Sequence, residues 1–252
     1  MAHLKVRKPL RLMGKLLRKC ASLAVDATDR VIGYAPVLIP AEDALLRRDV
    51  LIRWGDGESS LAVGKSTSFQ TASPALAKEL RRLCRTPDPR INLCFPGVLL
   101  KNSPFTGSDD RFRQIWILSA LIMRIWARGG PYADSLMFRR ESGMLGFESL
   151  SAVISQAKRV LLVSSDPRDA ECLRTFQGDG HFQQLLVPSR NAYFRRDEIK
   201  NSILALGKPD VLLLSAGPTG KCLAPELIDA WREGVKIIDT GHLFGQLRGP
   251  AK

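Results

Sequence analysis

Disulfide and zinc chemistry have little to build on in this chain. Its five cysteines, Cys20, Cys84, Cys94, Cys172 and Cys222, are odd in number, and no two share a Cys-x-x-Cys spacing. A zinc ribbon, a thioredoxin-like redox pair and a disulfide framework are therefore unsupported, and reduced thiols in a cytosolic protein are the plain expectation. No apolar run approaches the roughly 20 residues of a membrane span. The stretch over 115–125 comes nearest, but Arg113 and Arg124 bound it, and it reads as a buried helix. The basic start lacks a clean apolar stretch and cleavage site, so no signal peptide is expected. His-Glu-x-x-His and Gly-x-Ser-x-Gly are both missing, which removes the usual zinc hydrolase and serine hydrolase signatures. Aromatic residues are only 7%, and no nucleic-acid-binding motif is visible.

What is present is an ordinary globular composition with a basic excess. The 252 residues are 45% hydrophobic and 25% charged, enough chain to bury a core in one large or two small domains. Lysine and arginine number 38 against 25 acids, a net charge of +13. That excess calls for an anionic partner: nucleic acid, a membrane surface or a phosphorylated substrate. Much of it is local. Lys5, Arg7, Lys8, Arg11, Lys15, Arg18 and Lys19 all precede the first acid, Asp26. Val6, Leu10, Met13 and Leu17 recur among them at near-helical spacing, so residues 1–30 read as a basic amphipathic arm. Such an arm suits peripheral docking to an anionic membrane, against the plainer readings of a solvated arm or a helix packed on the domain. Docking predicts that the protein floats with anionic liposomes and that removing residues 1–20 abolishes flotation; an unchanged distribution would refute it.

Residues 31–252 read as a single domain of alternating strands and helices. Strands are expected at Asp49–Trp54, Ile91–Phe95, Leu136–Phe138, Arg159–Val163, Gln184–Val187, Asp210–Leu214 and Val235–Ile238. Helices are expected at Ser73–Leu83, Asp110–Ala127, Asp169–Phe176, Arg195–Leu206 and Pro225–Arg232. Short, continuously apolar strands separated by helices indicate a mostly parallel sheet covered on both faces, an α/β fold of Rossmann-like type. Ligands of such sheets sit beyond the carboxyl ends of the strands.

Chemistry-bearing residues cluster at those ends. Arg53-Trp54-Gly55-Asp56-Gly57-Glu58 sets two carboxylates about a glycine that lets a ligand approach the backbone. Hard divalent cations take such oxygens, although a solvated acidic turn has the same sequence. Ser215-Ala216-Gly217-Pro218-Thr219-Gly220-Lys221-Cys222 leads from a strand into a helix and resembles a phosphate-binding turn. It fails as a Walker loop, because Ser215 stands for the first glycine and Cys222 for the magnesium-binding hydroxyl. Arg190 could fork onto phosphate, and Asn191 could meet a base or sugar hydroxyl or simply cap a helix. Asp239-Thr240-Gly241-His242 holds a carboxylate and an imidazole three residues apart, an acid/base or metal pair or a structural hydrogen bonder. Arg139 closes a further basic cluster after Tyr132-Ala133-Asp134.

The order RWGDGE, SFQ (Ser68–Gln70), YADSLMFRR, PSRNAY, LLSAGPTGKCLAPEL and IIDTGHL resembles the GT-D fold glycosyltransferases over residues 42–245. The resemblance implies a bacterial sugar transferase of surface-polysaccharide or glycoprotein assembly. It implies a nucleotide-sugar donor (a UDP-sugar in the family's best-known activity), a glycan or glycoconjugate acceptor, and manganese or magnesium. The family's DxE motif falls on Asp56, Gly57 and Glu58, with Asp56 and Glu58 as metal and catalytic residues and Gly57 as a donor contact. Its GPT loop falls on Gly217, Pro218 and Thr219, and its final motif on Asp239, Gly241 and His242. With it, Gly220, Lys221, Arg190 and Asn191 become donor contacts, Gly55, Arg53 and Arg139 helpers, and His242 or Asp134 the general base. A basic nucleic-acid-binding protein and a nucleotide hydrolase with a degenerate P-loop are the competing readings.

Overall fold

The computed structural model describes residues 37, 39–85, 88–96, 119, 125–126, 131–139, 146–174 and 181–248. The basic arm lies outside them. So does the helix expected over 110–127, apart from Ser119, Ile125 and Trp126, which are helical.

Seven strands form one sheet: β1 (Val50–Arg53), β2 (Ile91–Phe95), β3 (Ala133–Asp134), β4 (Arg159–Ser164), β5 (His181–Leu186), β6 (Val211–Ser215) and β7 (Lys236–Asp239). Their order is β3-β2-β1-β7-β6-β4-β5, and every pairing is parallel. The central strands β4 and β6 are continuously apolar over Val160–Val163 and Val211–Leu214, because alternate residues feed opposite faces. Leu51, Val160, Leu162, Val211, Leu213 and Ile238 enter one core, with Leu45, Leu150, Ile154 and Phe244 from the covering helices. Val50, Ile52, Leu161, Val163, Leu212, Leu214 and Ile237 enter the other, under Ile199, Ile203, Leu223, Leu227 and Ile228. The first face carries α1 (Ala41–Arg47), α4 (Phe147–Gln156), α5 (Asp169–Arg174) and α8 (Leu243–Arg248). The second carries α6 (Arg196–Ala205) and α7 (Gly217–Trp231). Beyond the end of β1, α2 (Asp56–Ala62) and α3 (Pro74–Arg85) close a third cluster around Trp54, Leu61, Leu76, Leu80 and Phe95. The α/β reading of the sequence, with helices on both faces of a parallel sheet, is the observed fold. Among the described residues, no helix is long and apolar enough to cross a membrane.

Three local expectations are corrected. Leu136–Phe138 is a turn, not a strand. Asp134 Oδ1 accepts from the Leu136 N–H at 2.8 Å, and Asp134 O accepts from Met137 N–H at 3.1 Å, so the backbone folds back although Met137 and Phe138 are buried. The strand of this segment is Ala133–Asp134. Asp56–Glu58 is the first turn of α2 rather than an open turn. Gly217–Lys221 already belongs to α7, eight residues before the expected start at Pro225. Burial of Thr219, Lys221, Cys222 and Leu223 against the sheet overrides the poor helix propensity of Gly217, Pro218 and Gly220, and Pro218 is tolerated in a first turn. The cap expected at Ser73 is present, with Leu76 N–H donating to Ser73 Oγ at 3.2 Å.

Candidate active site

A cleft of about 530 Å3 opens over the carboxyl ends of β1, β4, β6 and β7. That volume suits a ligand of nucleotide-sugar size. The sheet brings together here residues that are far apart in the chain, because parallel strands deliver all their following segments to one edge.

Its floor is a buried ion triad. Lys221 Nζ lies 2.9 Å from Asp239 Oδ2 and 3.1 Å from Glu58 Oε1. The three side chains are nearly removed from water, at 4%, 2% and 7% exposure for Lys221, Asp239 and Glu58. Burial works against the ammonium charge, but Asp239 and Glu58 outweigh it and hold the Lys221 pKa above its ordinary value. Each carboxylate is used a second time. Glu58 Oε2 accepts from the Gly55 N–H at 2.9 Å, which starts α2. Asp239 accepts from the Arg53 N–H at 3.0 Å and from the Gly241 N–H at 3.0 Å, tying β1 to β7.

A basic wall rises from that floor. The Arg53 guanidinium donates to Ser135 O at 2.5 Å and to Thr240 O at 2.6 Å, and stands over the Phe138 ring. Gly241 makes this possible: it holds φ +54°, and a Cβ there would stand 2.6 Å from Arg53 Nη1. Arg139 also lines the cleft. Its Nε is buried and finds no hydrogen-bond partner among the described residues, a donor left for an anion. His242 stands exposed on the cleft lip. Partial desolvation first, then the charges of Arg139, Lys221 and Arg53, lower its pKa from 6.5, so it is neutral at pH 7. On the far side, Arg248 pairs with Asp166 at 3.0 Å and with Asp169. Sequence reasoning did not find Asp169 or Arg248; neither follows a strand directly, and no local pattern marks them.

The remaining sequence-derived candidates divide by position. Gly55, Asp56, Gly57, Gly217 and Pro218 line the cleft at the N-termini of α2 and α7. Asp56 is exposed, and its carboxylate has no hydrogen-bond or ion-pair partner among the described residues. The two acids therefore part company. Glu58 is buried with a partner at each oxygen, and Asp56 is open. Thr219 and Gly220 are buried and stand behind the lining. Arg190 and Asn191 are exposed and do not line the cleft. Asn191, at φ 55°, instead braces the neighbouring loop: its Oδ1 accepts from Thr71 N–H at 2.8 Å, and its N–H donates to Phe69 O at 2.9 Å. Asp134 caps its own turn and does not line the cleft. The degenerate P-loop does not form, since the glycine-containing segment is helical from Gly217 and Lys221 is spent on carboxylates.

The chain matches known proteins along most of its length. The family model described as "Glycosyltransferase GT-D fold" matches residues 51–246. The "Probable glycosyl transferase Gly" of Streptococcus gordonii is 24% identical over 211 residues, covering 80% of this chain and 30% of that protein. "Glycosyltransferase GlyD" of Streptococcus pneumoniae serotype 4 is 22% identical over 210 residues, covering 77% of this chain and 24% of its own. The chain thus spans about a quarter to a third of these relatives' length. Among solved structures, a domain of unknown function 1792, described as having a distinct glycosyltransferase fold, superimposes with a TM-score of 0.72 at 21% identity, covering 92% of this chain and 84% of that one. A glycosyltransferase of the same domain type from Streptococcus sanguinis gives 0.66 at 23% identity, covering 84% and 83%. With the parallel sheet, the cleft at its carboxyl edge and a family match over most of its residues, this chain belongs to the glycosyltransferase family of GT-D fold.

Proposed function

We propose that the protein transfers a sugar from a nucleotide-sugar donor, a UDP-sugar, to a glycan or glycoconjugate acceptor in surface-polysaccharide or glycoprotein assembly, with a divalent metal. A cytoplasmic location, with peripheral membrane contact through the basic arm, goes with this reading. The observation that carries it is the meeting of the α7 N-terminus and two arginines over a buried ion triad at the carboxyl edge of the sheet.

Both Glu58 oxygens already have partners, the Gly55 N–H for one and Lys221 for the other, and the side chain is buried. Asp56 offers a free carboxylate at the cleft lip. Magnesium and manganese are commonly held by one or two carboxylates together with substrate phosphates and water, so Asp56 fits. When bound there, the ion would neutralise charge on the departing diphosphate. The chain's own part is electrostatic and positional. The start of α7, at Gly217 and Pro218, turns its positive dipole end toward the cleft. Arg139 supplies an unspent donor, and Arg53 adds a fixed charge below it. The triad holds α2, β7 and α7 in register, so these donors are in place before the donor arrives. His242, neutral and open to the cleft, can accept the acceptor hydroxyl's proton if the transfer inverts the anomeric centre.

The test is turnover of UDP-sugars by purified protein with and without manganese. Sugar release or transfer only with metal is expected; metal-independent turnover, or none with any UDP-sugar, would sink the reading. Followed across pH, kcat/KM should fall only below about 6.5, because the His242 pKa is lowered from that value and the base fails once protonated. In His242→Gln this acid limb should vanish along with most of the rate. An acid limb unchanged in the variant would remove His242 from the role.

A further inference from the structure

Phe69 has a placement that the charge chemistry of the cleft does not explain. It lies on the loop between α2 and α3 and lines the cleft half-buried. The cleft's other aromatic carbocycle among the described residues, Trp54, is fully buried, with its indole N–H on Ser59 Oγ. The Phe69 ring spans the starts of two helices. A Cβ on Gly57 would stand 3.0 Å from its Cζ, and one on Gly217 would stand 3.8 Å from its Cε2. Gly57 is in the first turn of α2 and Gly217 is the first residue of α7. At Gly57 the missing side chain is what lets the ring sit this close.

The ring is also held in place. Phe69 O accepts from Asn191 N–H, and Gln70, 2% exposed, spends both ends of its amide. Its Nε2 donates to Thr71 O at 3.0 Å, and its Oε1 accepts from Tyr193 N–H at 3.2 Å. Thr71 N–H reaches Asn191 Oδ1. The loop is thereby fastened to the segment after β5, and the phenyl group is presented to a polar cleft with little freedom to turn away.

A phenyl face gives nothing to a bare phosphate. It does attract a flat or apolar-faced ring, by stacking and by exclusion of water. Here it sits against the start of α7, which favours an anion, in a cleft that Arg53 and Arg139 also line. The ligand chemistry that uses both features is a diphosphate carrying a ring. We infer that Phe69 is the platform on which a ring of the donor stacks beside its diphosphate, with Asn191 and Gln70 as the residues that position it. This rests on the nucleotide-sugar reading above. The ring is the nucleobase or the sugar, and the arms of the test separate them.

The experiment measures binding of UDP, UDP-glucose and inorganic pyrophosphate by calorimetry, each with magnesium, to the wild-type chain and to Phe69→Leu and Phe69→Tyr. Leucine keeps an apolar contact against Gly57 without the ring face; tyrosine keeps the face. Phe69→Leu should weaken UDP roughly tenfold, the scale of one lost stacking contact, and leave pyrophosphate within about twofold. Phe69→Tyr should bind like wild type. A loss on UDP-glucose with UDP unchanged assigns the platform to the sugar instead of the base. Equal loss on pyrophosphate, or no loss on either nucleotide, overturns the proposal while the donor reading stands. Wild-type protein that binds neither UDP nor UDP-glucose removes the donor reading and the platform with it.

Discussion

Lys221→Met is expected to be the most damaging single change in the described structure. Methionine is close in length and apolar, so the substitution removes the charge with little change in volume. It leaves the Glu58 and Asp239 carboxylates buried without their shared ammonium. Breaking a buried pair by deleting one partner costs about 3–5 kcal/mol, because the remaining charge has neither water nor counterion. Two carboxylates share this cation, so the upper part of that range is expected, read as a shift in the urea midpoint. The pH dependence has a definite sign. The folded-state pKa of Lys221 lies above 10.5, so its contribution is fully present below the unfolded value and is lost only as pH rises through the folded one. The gap between wild type and variant should therefore stay flat across neutral pH and narrow only in strong alkali. A variant within about 1 kcal/mol of wild type at pH 7 would mean that the triad does not hold the floor of the cleft together.

The second large effect separates the two acids of the glycine-flanked pair. Asp56→Asn should leave thermal stability nearly unchanged. Its side chain is exposed, and the loss of one acid from a first helical turn is worth only about 0.3–1 kcal/mol. Sugar transfer should fall at least about 10²-fold, the scale on which removal of one charge-stabilising group acts. The additional stabilisation that manganese gives the UDP complex should disappear with it. Glu58→Gln should do the reverse in the first respect. The amide cannot serve Lys221 as a full counterion while it caps Gly55, so stability should drop by about 1–3 kcal/mol, and the manganese-dependent shift should persist. If Glu58→Gln abolishes the metal response and Asp56→Asn spares it, the metal belongs on Glu58, and Lys221 must move to let it bind.

Both predictions turn on a distinction that local sequence could not supply. Asp-Gly-Glu after an apolar strand suggests two acids sharing a task. In the structure the segment is helical, and the helix turns Glu58 inward to cap its own first turn while Asp56 faces out. Lys221, in a glycine-containing turn after a strand, looked like a phosphate ligand. It becomes a counterion because α7 begins at Gly217 and brings its ammonium between Glu58 of α2 and Asp239 at the end of β7. Asn191 looked like a contact for a base or sugar. Its left-handed backbone and its bonds to residues 69 and 71 make it a brace. Arg139, by contrast, was legible as a basic residue near a strand end, and it reaches the cleft with a donor to spare.

By itself the sequence determined the α/β class, the parallel sheet and the edge on which the cleft lies. Those follow from features carried by neighbouring residues: runs such as Val160–Val163 and Val211–Leu214 that are apolar on both faces, helical segments between them, and polar residues clustered just beyond. Only the tertiary structure decided which charges meet. Glu58, Asp239 and Lys221 come from three separate strand ends, and whether each faces ligand or partner depends on helix phase and strand order. Neither quantity is written in any short stretch of chain, because the cost of burying an unpaired charge is settled only by what the rest of the fold places beside it.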